Sequence, residues 1–312
     1  MTRVTMDRGP APDPRVRAAI AVIMTRFPRI EDTFILREIN ELERNGQPVL
    51  VVPVMRSEAT VLHEEARPWL SRAFFTPFLS WEITRSNAAA LLQNPLHYLR
   101  LLFFLIAGTI LRPSTLIRTL ALFPKSVHLA RVLRERGIRH VHAHFATHAT
   151  TMAYIISAFS DITYSFTVHG PDVFVHRLLV REKIRKAKFV RAISTFNKAF
   201  LCGLYPDETA GKVEVIRTGV NPDVYADAAS EAVRHERPLI LSVSELMPSR
   251  GFPYLVDACA RLIRAGMDVE CRIVGEGPLR DVTEQWIAEH GLADRVKLLG
   301  AQPQHEVARL MG

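Results

Sequence analysis

Residues 17–54 read RAAIAVIMTRFPRIEDTFILREINELERNGQPVLVVPV, and this stretch decides the fold. Its opening, Arg17–Met24, is a short apolar run that suits a strand buried on both faces. A loop is expected over Thr25–Asp32. From Thr33 to Asn45 the residues Phe34, Ile35, Ile39 and Leu42 recur at helical spacing, and Asn45-Gly46 supplies a left-handed stop. Pro48–Val54 is a second buried strand. Strand, helix and strand at this spacing make a βαβ unit, whose two strands run parallel.

The same alternation continues outward. Strands are expected at Gly137–His144, Thr163–Val168, Phe189–Ser194 and Lys212–Ile216, with a helix over Thr147–Phe159. The polar stretch 221–238 reads as an interdomain linker. A second set follows: strand Leu239–Val243, helix Tyr254–Ala265 stopped by Gly266, strand Val269–Val274, helix Pro278–His290, strand Val296–Leu299, and a helix over Gln304–Met311. The prediction is an α/β chain of two doubly wound parallel-sheet domains, over 17–220 and 239–312. Three strands leave the second domain incomplete, with an open edge. The Pro-rich polar residues 1–16 are expected to form a disordered lead-in.

Pro68–Leu133 reads as a helical insert, broken at Pro77, Pro95, Pro113 and Pro124. Its apolar runs are interleaved mostly with Arg and Lys. Two readings stand side by side: helices packed on their own domain, or a surface resting on an anionic inner leaflet. The longest apolar run, Leu101–Leu111 between Arg100 and Arg112, is about half of what a bilayer span needs.

Composition narrows the function. With 312 residues, 48% apolar and 23% charged, the chain can bury a core without disulfides. Cys202, Cys259 and Cys271 form no C-x-x-C pair, which suits a reducing cytoplasm. The net charge of +8 calls for an anionic partner. Zinc spacing, basic heptads and aromatic RNA motifs are all missing, so nucleic acid is not expected. The first strand leads into Thr25-Arg26-Phe27-Pro28 without G-x-G-x-x-G, which argues against a nicotinamide dehydrogenase.

Several residues invite chemistry. His169 follows a parallel strand, at the end of the sheet where ligands bind. Asp172, three residues on, is placed to orient His169, to bind acceptor hydroxyls, or to cap the helix after Pro171. His140, His142 and His144 share one strand face. No Cys or carboxylate joins them at ligand spacing, so no metal is expected; the readings left are His144 lining a pocket, or structural histidines. Gly275-Glu276-Gly277-Pro278 joins a strand to a helix, where glycines let the backbone approach a ligand.

Taken together, these stretches resemble a known family. Met24–Glu38, His140–Ala146, Ser165–Phe174, Arg217–Tyr225, Arg272–Arg280 and Val296–Ala301 are similar, in order and spacing, to segments of bacterial group 1 glycosyltransferases of the exopolysaccharide and colanic-acid type. The resemblance runs from about Arg17 to Gly312. It implies a GT-B fold of two facing Rossmann-like domains with the active site in the cleft. The implied reaction is metal-independent, retaining transfer of a sugar from a nucleotide-diphosphate donor to a lipid-linked or polysaccharide acceptor. From the cysteines and the helical insert, the expected location is the cytoplasm, with the inner face of the cell membrane as the second reading of the insert.

By the same resemblance His169 and Asp172 carry catalysis, and Arg26, Phe27, Thr33 and His144 lie on the acceptor side. Ser244, Glu245, Arg250, Gly275, Glu276 and Gly277 lie against the nucleotide-sugar, the co-substrate; no other cofactor is implied. One departure stands out. The family pattern has Gly-Arg where this chain has Ser244-Glu245, so one of two phosphate-binding cations is replaced by a carboxylate, and only Arg250 remains. The family's glutamate pair falls beyond Gly312, so an impaired, truncated enzyme, or a non-catalytic scaffold at the membrane, is the expectation.

Overall fold

The computed structural model describes residues 19–28, 33–57, 64–175, 177–220, 222, 225 and 237–311. The lead-in 1–16 and most of the linker 221–238 lie outside them. The described residues fall into two compact units, one running to Gly219 and one starting at Val220.

The first unit is built on a six-stranded parallel sheet in the order β2-β1-β3-β4-β5-β6. Its strands are β1 (Ile20–Phe27), β2 (Val49–Arg56), β3 (His140–His144), β4 (Thr163–Val168), β5 (Val190–Ala192) and β6 (Val213–Val215). Thr25–Phe27, expected as loop, belong to β1. Its partner β2 runs on to Arg56, pairing Arg26 with Met55 and Phe27 with Arg56, so the ladder carries β1 further than its apolar run. Helix α1 (Thr33–Arg44) buries Ile35, Leu36 and Ile39 and stops at Gly46, whose φ of +73° suits glycine. The strand order reverses between β1 and β3, and this is where an open α/β sheet offers a crevice.

The two faces of this sheet differ in chemistry. One carries Val141, Ala143, Tyr164, Phe166, Val190 and Ala192, packed into a single apolar core. Helices α5 (Pro113–Glu135), α6 (His148–Ala158) and α8 (Val180–Lys186) cover it, through Leu129, Leu133, Met152, Ile156 and Ile184 among others. The register puts His142 beside Ser165, His144 beside Thr167, and Thr167 beside Arg191, so the opposite face is polar.

The helical insert consists of α2 (Arg67–Arg72), α3 (Trp81–Gln93), α4 (Pro95–Ala107) and the first half of α5. Pro95 and Pro113 open helices, in the first turn where a missing N–H is harmless. Pro124 does not break the chain as expected: α5 runs through it. Proline has no N–H to offer the Leu120 carbonyl, and Leu120 lies on the exposed side of α5, where water can satisfy it. Lys125, one residue on, is buried and donates to the carbonyls of Val54 and Thr76 at 2.7 and 2.6 Å, tying α5 to the end of β2.

Helices α7 (Pro171–Phe174), α9 (Thr195–Leu204) and α10 (Pro206–Thr209) complete the first unit. The second unit has a three-stranded parallel sheet, β7 (Leu239–Val243), β8 (Glu270–Val274) and β9 (Val296–Gly300), in that order. Helices α11 (Phe252–Arg264), α12 (Arg280–Glu289) and α13 (Gln304–Met311) alternate with the strands. Phe252, Val256, Cys259, Cys271 and Ile273 form its core.

Candidate active site

In the first unit the carboxyl ends of β3 and β4 meet α1. His140 and His142 do not reach this point as free groups. His140 bridges Thr163 Oγ1 (2.8 Å) and Ser165 Oγ (2.7 Å), and His142 bridges Ser165 Oγ (2.7 Å) and Thr167 Oγ1 (2.8 Å). Phe189 stacks on both rings. The result is a zipper of imidazoles and hydroxyls that satisfies the polar face of the sheet. Burial holds His142 neutral, with its pKa pushed down to about 3.

His144 is the last rung. It is fully buried, and burial holds its pKa well below the usual value. Its Nδ1 lies 3.5 Å from His169 Nε2, and its Nε2, which makes no hydrogen bond, lies 3.8 Å from Glu38 Oε1. Burial raises the Glu38 pKa, opposed by Arg191, whose guanidinium is ion-paired with it. Arg191 also donates to the carbonyls of Ile216 and Arg217, at 2.9 and 3.2 Å. Glu38 and Arg191 were not singled out from the sequence. Glu38 lies one helical turn from Phe34 on α1, and Arg191 is a charge inside an otherwise apolar strand; both signals were legible.

His169 sits among the rings of Phe34, Phe145 and His144, with centroids 4.9, 4.3 and 5.7 Å away. Burial pushes its pKa down to about 4, so at neutral pH the imidazole is uncharged and can donate from one nitrogen and accept at the other. Its backbone is fixed at both ends. The N–H donates to both Asp172 oxygens (3.1 and 3.3 Å), and the carbonyl accepts from Asn197 Nδ2 (2.8 Å).

Asp172 orients His169 through the main chain. Its carboxylate accepts the N–H groups of His169, Gly170 (2.7 Å) and Ala146 (2.8 Å) and is buried. It does not cap α7, whose N-cap is Gly170. Lys183 grips the same turn from the other side, donating to the carbonyls of Ala146 (2.8 Å) and Thr147 (2.9 Å). Between these clamps Phe145 is held at φ +69°, a conformation costing about 1–2 kcal/mol in a non-glycine residue. Asp172→Asn keeps the volume but offers one oxygen where two serve three donors. It is expected to cost about 2–3 kcal/mol of first-unit stability in urea denaturation. An unchanged midpoint would mean that the clamp is dispensable.

Of the other acceptor-side residues, Phe27 is buried at the end of β1, Thr33 opens α1 half-buried, and Arg26 points to solvent. Glu38, His142 and His144 each bring a ligand atom within 4.8 Å of the others, the spacing of a metal-ligand set. The fit is poor. The Glu38 charge is already met by Arg191, both His142 nitrogens are engaged, and a divalent ion would sit beside a guanidinium.

In the second unit Arg250 ends a short 3₁₀ turn, Pro248–Arg250. It is exposed, and its guanidinium makes no hydrogen bond or ion pair among the described residues. Ser244 and Glu245 are half-buried in the loop after β7. Gly275 and Gly277 serve the fold itself. A Cβ on Gly275 would lie 1.9 Å from the Ser244 carbonyl oxygen, and one on Gly277 would lie 2.6 Å from that of Leu246. The close backbone approach is to the 244–246 loop, with Leu246 N–H donating to Glu276 O at 2.9 Å. Glu276 pairs with Arg280 at 2.6 Å.

Comparison with known proteins bears on both units. Residues 225–312 match the family described as Glycosyl transferases group 1. The chain is similar to alpha-D-kanosaminyltransferase of Streptomyces kanamyceticus, 27% identical over 200 residues, which cover 54% of this chain and 50% of that protein. It is 34% identical over 102 residues to the amylovoran biosynthesis glycosyltransferase AmsK of Erwinia amylovora, covering 33% of this chain and 25% of the relative. The matches therefore span at most half of these two relatives. The crystal structure of Anabaena HepE in complex with UDP and glucose shares the fold, with a TM-score of 0.62 at 17% identity over 94% of this chain and 72% of that one. The two parallel sheets are those of the GT-B fold, and residues 225–312 match the group 1 glycosyl transferase domain.

Proposed function

We propose that this protein transfers a sugar from a nucleotide-diphosphate donor to a polysaccharide or lipid-linked acceptor, with retention and without a metal, at the cytoplasmic face of the membrane. The donor is held by the second unit. The single observation that carries this is Arg250: a cation without a partner among the described residues, in the loop that enters α11, within the matched group 1 region. A guanidinium there can take a diphosphate through two parallel hydrogen bonds. In the first unit His169, neutral and fixed by Asp172 and Asn197, is a hydrogen-bonding group for a sugar hydroxyl.

The test is calorimetric titration with UDP- and GDP-sugars. Arg250→Ala is expected to weaken binding at least about tenfold, the equivalent of one charged contact of about 1.5–3 kcal/mol. Glu245→Arg, which replaces a repelling carboxylate with a cation, is expected to strengthen it. Equal affinity in all three proteins would remove this loop from the donor site. Glu245 also favours a second reading, a non-catalytic glycosyltransferase-like scaffold. That reading predicts binding of neither nucleotide-sugar by any variant.

A further inference from the structure

Twelve of the twenty-two exposed large apolar side chains among the described residues lie between Phe78 and Leu120. Helix α4 is the centre of this patch. One side, Leu101 and Leu105, packs on Phe123, Val127 and Ile155. The other presents Leu96, Leu99 and Phe103, three and four residues apart, so they form one stripe along the helix. The stripe is flanked by Leu92 before the helix and by Ile110 and Leu111 after it; Leu111 is 93% exposed. A helix apolar on both sides is one that buries both.

The charge around the stripe says against what. From Ile83 to Arg134 the chain contains no Asp or Glu. Arg85, Arg100, Arg112 and Arg118 in this stretch are all exposed. A second copy docked here would press these arginines against their own equivalents with no carboxylate in the stretch to meet them. A surface of phosphates beneath which acyl chains lie matches both features. No single described helix is long and apolar enough to cross a membrane; α3 and α4 have that length and composition only as a pair, bent by 114° at the break between them. Thirteen residues of α4 span about 20 Å, short of the roughly 30 Å of a hydrocarbon core.

We infer that α4 is an in-plane membrane-insertion helix. Leu96, Leu99, Phe103, Ile110 and Leu111 enter the acyl boundary of an anionic bilayer, and Arg100, Arg112 and Arg118 bind lipid phosphates. This rests on the membrane-face part of the proposed function and needs nothing from the chemistry of transfer.

The test is flotation of the purified chain with vesicles of phosphatidylcholine alone or with one third phosphatidylglycerol, at low and high salt. Binding is expected on the anionic vesicles and is expected to fall with salt. Leu96→Asp/Phe103→Asp should lower it at least about tenfold. Replacing Arg100, Arg112 and Arg118 with Ser should lower it about a hundredfold, near fivefold per arginine. All five positions are exposed, so the thermal midpoints should stay at the wild-type value. In the wild type, brominated lipid should quench exposed Trp81 and not buried Trp69. No binding to anionic vesicles at low salt, or equal binding by the variants, would overturn the inference. So would a dimer that Leu96→Asp/Phe103→Asp dissolves, because the stripe would then be a contact between copies. If flotation fails while nucleotide-sugar titration succeeds, the transfer reading stands and only the insertion helix is lost.

Discussion

Gly275→Ala is expected to unfold the second unit while leaving the first intact. At φ +144° the position is closed to most side chains, and the added Cβ would lie 1.9 Å from a backbone oxygen that cannot rotate away. Relief requires the β8–α12 turn to separate from the 244–246 loop. That breaks the bonds from Leu246 N–H to Glu276 O (2.9 Å) and from Leu279 N–H to Leu246 O (3.0 Å). Overpacking plus backbone strain should cost about 3–5 kcal/mol, a large part of what a three-stranded unit has. Gly266→Ala is the control: its φ of +85° carries the conformational cost, but nothing lies within 4 Å of the new Cβ. Hydrogen exchange over residues 239–311 reads both. Equal effects of the two substitutions would refute the close approach as the reason for glycine at 275.

The first unit is expected to lose stability in mild acid. His142 is held near 3, His148 and His169 near 4, and His144 well below its ordinary value, all chiefly by burial. In the unfolded chain each titrates at about 6.5. Below pH 6.5 the unfolded state therefore binds protons that the folded state refuses, so stability falls as pH falls; the His148 and His169 contributions level off below about 4 and that of His142 below about 3. His142 alone contributes a loss of about 2 kcal/mol by pH 5. Urea midpoints followed by hydrogen exchange over residues 140–192 should drop steeply from pH 7 to 5. A flat profile would mean that the imidazole zipper opens to water.

Much of this was legible in the sequence because periodicity reports burial. The runs Arg17–Met24 and Pro48–Val54 found β1 and β2, and Gly46 marked the end of α1. The alternation of His140, His142 and His144 put them on one face. Hidden were the contacts that depend on what packs across that face. Nothing near Asp172 in the chain says that it reaches Ala146, 26 residues away, and nothing near Arg191 says that it meets Glu38. The glycines of Gly275-Glu276-Gly277 announce a close approach without saying to what, and here it is the chain's own loop. Pro124 misled because packing keeps α5 helical through it: Leu122, Phe123, Lys125 and Ser126 on either side are all buried.

The most direct test of the account is titration of UDP- and GDP-sugars into the wild-type chain and Arg250→Ala, with a chelator present throughout. Saturable binding of at least one nucleotide-sugar is expected without divalent metal, weakened at least about tenfold by Arg250→Ala. Absence of binding at millimolar ligand, or binding that Arg250→Ala leaves unchanged, would contradict it.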